Sequence, residues 1–103
     1  MNVQLTKRHN RHLSDETKDF IIADVEGLEK FHDGIQSAHV IIDKIERKTG
    51  PEDIVEIIIS AAGSNVAAKS SNMEENMVKA FDEALQKVIR QLKKKNEIEK
   101  SHN

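Results

Sequence analysis

Three successive runs between residues 35 and 68 alternate apolar and polar side chains, the period of an extended chain that buries one face. Ala38, Val40 and Ile42 fall on one side of the first run, with His39, Ile41 and Asp43 on the other. Val55, Ile57, Ile59 and Ala61 make the second set, and Val66 and Ala68 the third. Glu46 through Glu52, which include Gly50 and Pro51, have the residues of a turn, and Gly63 with Ser64 supplies a tight reversal because glycine accepts positive φ. The pattern predicts an antiparallel meander. Such a sheet is stable only if something apolar covers its buried face.

The flanking segments supply that cover. Before the meander, Ser14 reads as a helix N-cap, Asp15 and Glu16 suit the unpaired N–H groups of a first turn, and Ile21, Val25 and Leu28 recur at helical spacing. Phe31 continues the stripe and Gly34 follows where a helix stops, so the first helix is expected over residues 15–32. After the meander, Ser71 with Glu74, or Asn72 with Glu75, has capping-box spacing. Met77, Phe81, Ala84, Leu85, Val88 and Leu92 then gather on one helical face, while Lys79, Lys87, Arg90, Lys93 and Lys94 project from the other. Val3 and Leu5 alternate as a short first strand. The expected fold is α+β in the order β-α-β-β-β-α, a four-stranded, mainly antiparallel sheet with both helices on one face. Ile41, Ile54 and Ile58 have the wrong parity for the core, so either the open face is partly apolar or a bulge distorts the strands.

Length and composition set outer bounds. With 103 residues, one core is expected: a domain over residues 1–95 and a short polar tail over 96–103. No apolar run approaches the roughly 20 residues that cross a bilayer, and the start Met1, Asn2, Val3, Gln4 lacks a signal-peptide stretch, so the expectation is a cytosolic protein without membrane contact. Without cysteine there are no disulfides or thiolate sites. Phe20, Phe31 and Phe81 are the only aromatic residues, which argues against a base-stacking platform.

The net charge of −2 conceals an uneven distribution. Lys7, Arg8 and Arg11 lie in an N-terminal stretch without acids, and Lys87, Arg90, Lys93, Lys94, Lys95 and Lys100 outnumber Glu97 and Glu99 near the other end. Acidic side chains instead crowd the first helix. Lys87, Arg90 and Lys94, at i, i+3 and i+7, make a positive strip suited to phosphates, with Arg90 able to grip two phosphate oxygens. A solvated helix face would carry the same residues, since lysines suit a helix C-terminus. Lys7, Arg8 and Arg11 extend the strip only if the first strand lies near the second helix.

Other chemistry is sparse. His9 and His12 have a three-residue spacing, but no third ligand accompanies them and Arg8 and Arg11 would repel a cation, so no metal site is assigned. His32 and His39 are isolated. There is no phosphate-cradling glycine loop, no G-x-S-x-G and no paired carboxylates suggestive of a pocket, so neither an enzyme nor a cofactor is expected.

Two runs carry a family resemblance. Leu28, Glu29, Lys30 and Phe31, followed by Asp33 and Ile35, resemble the "LEK(F/Y)" helix ending and "D-x-I" strand entry of the ribosome hibernation-promoting factor and ribosome-associated inhibitor family, also called the sigma-54 modulation proteins. Met77, Ala80, Asp82, Lys87, Arg90, Gln91 and Leu92 are similar to its "M-x-x-A-x-D…K-x-x-R-Q-L" pattern. The resemblance implies a fold similar to double-stranded-RNA-binding domains and a translation inhibitor that binds 16S rRNA in the decoding region of the small ribosomal subunit. It carries Lys87, Arg90 and Lys94 over as RNA contacts, whereas Lys79 and Lys93 are added from this chain's own helical face. Val78 stands where the family usually has Tyr, and Asp43 where a lysine is common. Longer members carry a C-terminal dimerisation domain, so a free monomer is expected here. The brief mixed-charge tail leans towards members that pair ribosomes with a separate ribosome modulation factor. The competing expectation is a non-catalytic protein-interaction domain that uses a strand edge or the open sheet face.

Overall fold

The computed structural model describes residues 1–9, 12–61, 64–72 and 77–101. Strand β1 (Asn2–Lys7) leads into helix α1 (Asp15–Glu26), which tightens into a 3₁₀ turn (Gly27–Lys30). Strands β2 (Ile35–Arg47), β3 (Gly50–Ala61) and β4 (Ser64–Asn72) precede helix α2 (Met77–Ser101). The sheet order is β1-β2-β3-β4, with β1 parallel to β2 and the other pairs antiparallel. This is the expected β-α-β-β-β-α arrangement.

Ser14 caps α1 as its sequence requires: its Oγ accepts from the Thr17 amide at 3.2 Å, satisfying an orphan N–H. The helix ends at Glu26, earlier than the stripe suggested. Beyond it, Phe31 N–H bonds the Leu28 carbonyl at 2.9 Å, an i→i−3 link. Val25, Leu28 and Phe31 are spaced by three, so the tighter winding keeps them on one side where a continued α-helix would rotate them apart. Gly34, at φ 85°, then turns the chain into β2.

In the meander, Ala38, Val40 and Ile42 pair with Ile59, Ile57 and Val55, and all six point at the helices. The opposite parity set Asp43, Ile41 and His39 against Ile54, Glu56 and Ile58 in uninterrupted register. The irregularity in this pairing lies at the start of β2, between Ile35 and Ser37. Ile41, Ile54 and Ile58 therefore lie on the sheet face away from the helices, where Ile41 and Ile54 are buried among their neighbours and Ile58 is half-buried, and no bulge re-aims them. Gly50, at φ 125°, closes the β2–β3 hairpin.

Both helices lie on the other face. Met77, Phe81, Ala84, Leu85, Val88 and Leu92 are all buried, joined by Ala80, and α2 packs on β3 and β4. Ile21, Val25 and Leu28 complete the core from the α1 side, and Phe20 meets Phe81 edge-to-face with ring centroids 6.1 Å apart. Burying each large aliphatic or aromatic side chain contributes roughly 1.5–3 kcal/mol before chain entropy is charged. The helix continues through Asn96 to Ser101, the stretch read from sequence as a tail. Gly63, Glu74 and Glu75, on which a turn and two capping boxes were expected, lie outside the described residues. Among the described residues no helix is long and apolar enough to cross a membrane.

Candidate nucleic-acid interface

Helix α2 places its cations by a simple angular rule. At about 100° per residue, Lys79, Arg90, Lys94 and Lys87 fall within an arc of about 80° on the side turned towards β4. Glu83 falls in the same arc and interrupts it between Lys79 and Lys87, but its carboxylate is engaged by the Ser70 hydroxyl at 2.7 Å. The uninterrupted part is Lys87, Arg90 and Lys94, all exposed. Arg90 Nε donates to its own helix at the Gln86 carbonyl, 3.4 Å away. Among the described residues no carboxylate pairs with any of the three.

Lys93 departs from this ridge. Its Nζ sits 5.1 Å from the centroid of the Phe31 ring, a cation–π contact that turns it towards the 3₁₀ turn after α1. The sequence grouped Lys93 with Lys94 because both are solvent-facing; the contact with Phe31 separates them.

Lys7 and Arg8 do not extend the ridge. Strand β1 is the opposite edge of the sheet from β4, three strand spacings or roughly 14 Å across, and α2 covers β3 and β4. The adjacency on which their inclusion depended is absent, because the parallel β1–β2 pairing, crossed over by α1, places β1 on the far side of β2. Arg11 lies outside the described residues. Beside Arg8, His9 adopts a positive φ of 54°, and its Nδ1 is 2.6 Å from Asp43 Oδ1. Partial burial pushes the Asp43 pKa up, but the hydrogen bonds from His9 and from the Lys44 amide, with the charges of His9 and Arg8, outweigh it and hold the carboxyl below the ordinary aspartate range. His39 Nε2 meets Thr6 Oγ1 at 2.7 Å on the open face, and His32 is buried.

A feature that sequence reasoning missed runs along β4. Lys87 Nζ donates to the Lys69 carbonyl at 3.0 Å, Gln91 Nε2 to Ala67 at 3.1 Å, and Lys95 Nζ to Asn65 at 3.4 Å. Four residues of helix advance about 6 Å and two residues of strand about 6.6 Å, so the i, i+4, i+8 row of α2 keeps step with alternate carbonyls of the edge strand. The spacing was present in the sequence, but nothing local indicated that this row would lie against an edge. The ladder covers the outer carbonyls of β4 and holds the Lys87 ammonium at the lip of the sheet.

The profile of the family described as sigma 54 modulation protein / S30EA ribosomal protein matches residues 3–100. The chain belongs to that family. A search of curated proteins gave no significant match. Among solved structures, the N-terminal domain of Thermus thermophilus Protein Y superposes with a TM-score of 0.75 at 22% identity, covering 91% of this chain and 98% of that one. A ribosomal subunit interface protein from Coxiella burnetii superposes with a TM-score of 0.74 at 23% identity, covering 93% and 98%. The S30EA family fold thus extends over nearly the whole chain, α2 included.

Proposed function

We propose that this S30EA-family chain is a ribosome-binding translation inhibitor of dormancy, which lays the Lys87–Arg90–Lys94 ridge of α2 on 16S rRNA phosphates in the decoding region of the small subunit. The single observation that carries the reading is that ridge: three exposed cations in register on one flank of a helix, without a carboxylate partner among the described residues, in a protein of net charge −2. Membership of the S30EA ribosomal protein family and the likeness to the Coxiella burnetii ribosomal subunit interface protein support ribosome association.

The mechanism needs no turnover. Cations that neutralise phosphates release condensed counterions, which favours binding at low salt, while the bulk of the domain excludes messenger and transfer RNA during stress or stationary phase. Recognition rests on backbone geometry, because Phe20, Phe31 and Phe81 supply no stacking platform. The acidic α1 would face away from the RNA or meet basic ribosomal proteins. The protein works in the cytoplasm, with residues 1–95 as its ribosome-binding domain.

Sedimentation of the protein with ribosomes through a gradient tests this. The K87A/R90A/K94A variant is expected to stay at the top while the wild type travels with small subunits; equal co-migration removes α2 from the contact surface. A protein-interaction domain making an apolar contact would instead bind almost independently of salt, since screening acts on charges.

A further inference from the structure

Where the β2–β3 hairpin runs on past the C-terminal end of β4, a cleft opens whose lining includes Arg47, Glu52, Lys69, Ser71, Glu83 and Lys87. We infer that this cleft is a second phosphate seat, which takes one phosphodiester of an RNA backbone next to the α2 ridge; the inference rests on the RNA-binding reading above.

The cleft wraps the sheet edge. Lys69 projects from the open face, in register with Glu56, whereas Lys87 reaches it from α2 on the other face, and Arg47 stands at the hairpin end. Three cations thus line one cleft, Arg47 and Lys69 from the open face and Lys87 from the helix side. The two carboxylates present are already engaged: Glu52 accepts from Arg47 Nε and from the Ser71 hydroxyl, and Glu83 accepts from Ser70. The Arg47 and Ser71 hydrogen bonds, more than the nearby charges of Arg47 and Lys69, hold the Glu52 carboxyl below its ordinary range despite some burial, so it stays ionised and bound to its partners.

Donor capacity is left over. Arg47 spends its Nε on Glu52, which leaves the two terminal amino groups of the guanidinium to face an incoming oxyanion, and Lys87 spends one of its N–H groups on the Lys69 carbonyl. In an antiparallel strand the N–H and C=O of a residue point to the same side, so Lys69 also presents its amide along this edge. Charge-assisted bonds from a planar guanidinium and an ammonium are those a phosphate oxygen favours.

The position fits a continuous track. Lys87 belongs to both cleft and ridge, and Lys94 lies about 10 Å farther along the helix axis. A backbone running beside β4 would meet Arg47 and Lys69 first, then Lys87, then Arg90 and Lys94.

Equilibrium binding to purified small ribosomal subunits across a salt series tests the inference, comparing wild type, R47Q/K69Q, R90A/K94A and Glu52→Gln, each first shown to melt like the wild type; should R47Q/K69Q melt lower, Lys69→Gln alone replaces it. The R47Q/K69Q protein is expected to bind about fivefold or more weakly, with a log–log salt slope smaller by about 1, the loss of one phosphate contact. Glu52→Gln is expected to bind more tightly, because it removes a charge and releases Arg47. Unchanged affinity and slope in R47Q/K69Q, with R90A/K94A weakened, would overturn the cleft and leave the ridge standing. No salt-dependent binding even by the wild type would overturn both. Amide shifts of Lys69, Ser70 and Ser71 with inorganic phosphate, without any effect of R47Q/K69Q on subunit binding, would assign the cleft to a free anion and overturn its RNA role.

Discussion

Asp43 shows how one side chain can organise a loop that local sequence describes poorly. Its Oδ1 holds both the His9 ring and the Lys44 amide, so the chain leaving β1 is tied to β2 in front of residues 10 and 11. Because the folded carboxyl titrates lower than the unfolded one, the stabilisation is complete above the ordinary aspartate value of about 4 and is lost as pH falls through the folded value. Thermal melts of wild type and Asp43→Asn should therefore differ at pH 7 and converge near pH 2; an equal gap at both would remove the linkage. His9 and Asp43 are 34 positions apart, and nothing in either neighbourhood indicated the contact.

Elements were more legible than contacts. The order of strands and helices, the Ser14 cap and the buried stripe of α2 follow from periodicity, since alternation and 3.6-residue spacing directly report which faces are buried. The end of α1 was not legible, because spacing by three satisfies both an α-helix and a 3₁₀ turn over a short stretch. The edge ladder also belongs to this scale. Gln91→Ala removes a hydrogen bond between an exposed amide and an edge carbonyl that water can then reach, and urea unfolding should register a loss of about 0.5–1 kcal/mol. Removing Lys87, Gln91 and Lys95 together should uncover β4, and light scattering should then detect self-association through the bare edge. The ladder also gives Lys87 two duties, so R90A/K94A is the cleaner probe of RNA contact.

For the molecule as a whole, the uneven charge distribution matters more than the net value. Acidic side chains gather on α1 and cationic ones on the outer flank of α2 and the β4 edge, which gives the domain a polarity that a total of −2 hides. If three ridge cations each neutralise one duplex phosphate, the logarithm of the association constant should fall against log salt with a slope of about −2.7, steeper by about 1 when the cleft contributes. Subunit binding measured between 50 and 200 mM salt, approximately, would detect either value. A flat dependence would leave the open sheet face around the half-buried Ile58 as the surface to examine.

What the residues determined alone was whatever depends on neighbours along the chain: the element order, the core-facing sets, the Ser14 cap and the cationic flank of α2. Tertiary structure decided which edges and faces meet. It put Lys7 and Arg8 across the sheet from the ridge, drew Lys93 to Phe31, and brought Arg47 of the hairpin, Lys69 of β4 and Lys87 of α2 to one cleft. The physical reason is that periodicity encodes the burial of a face, whereas the position of an edge depends on sheet order and helix direction, and those are settled by the packing of the entire core.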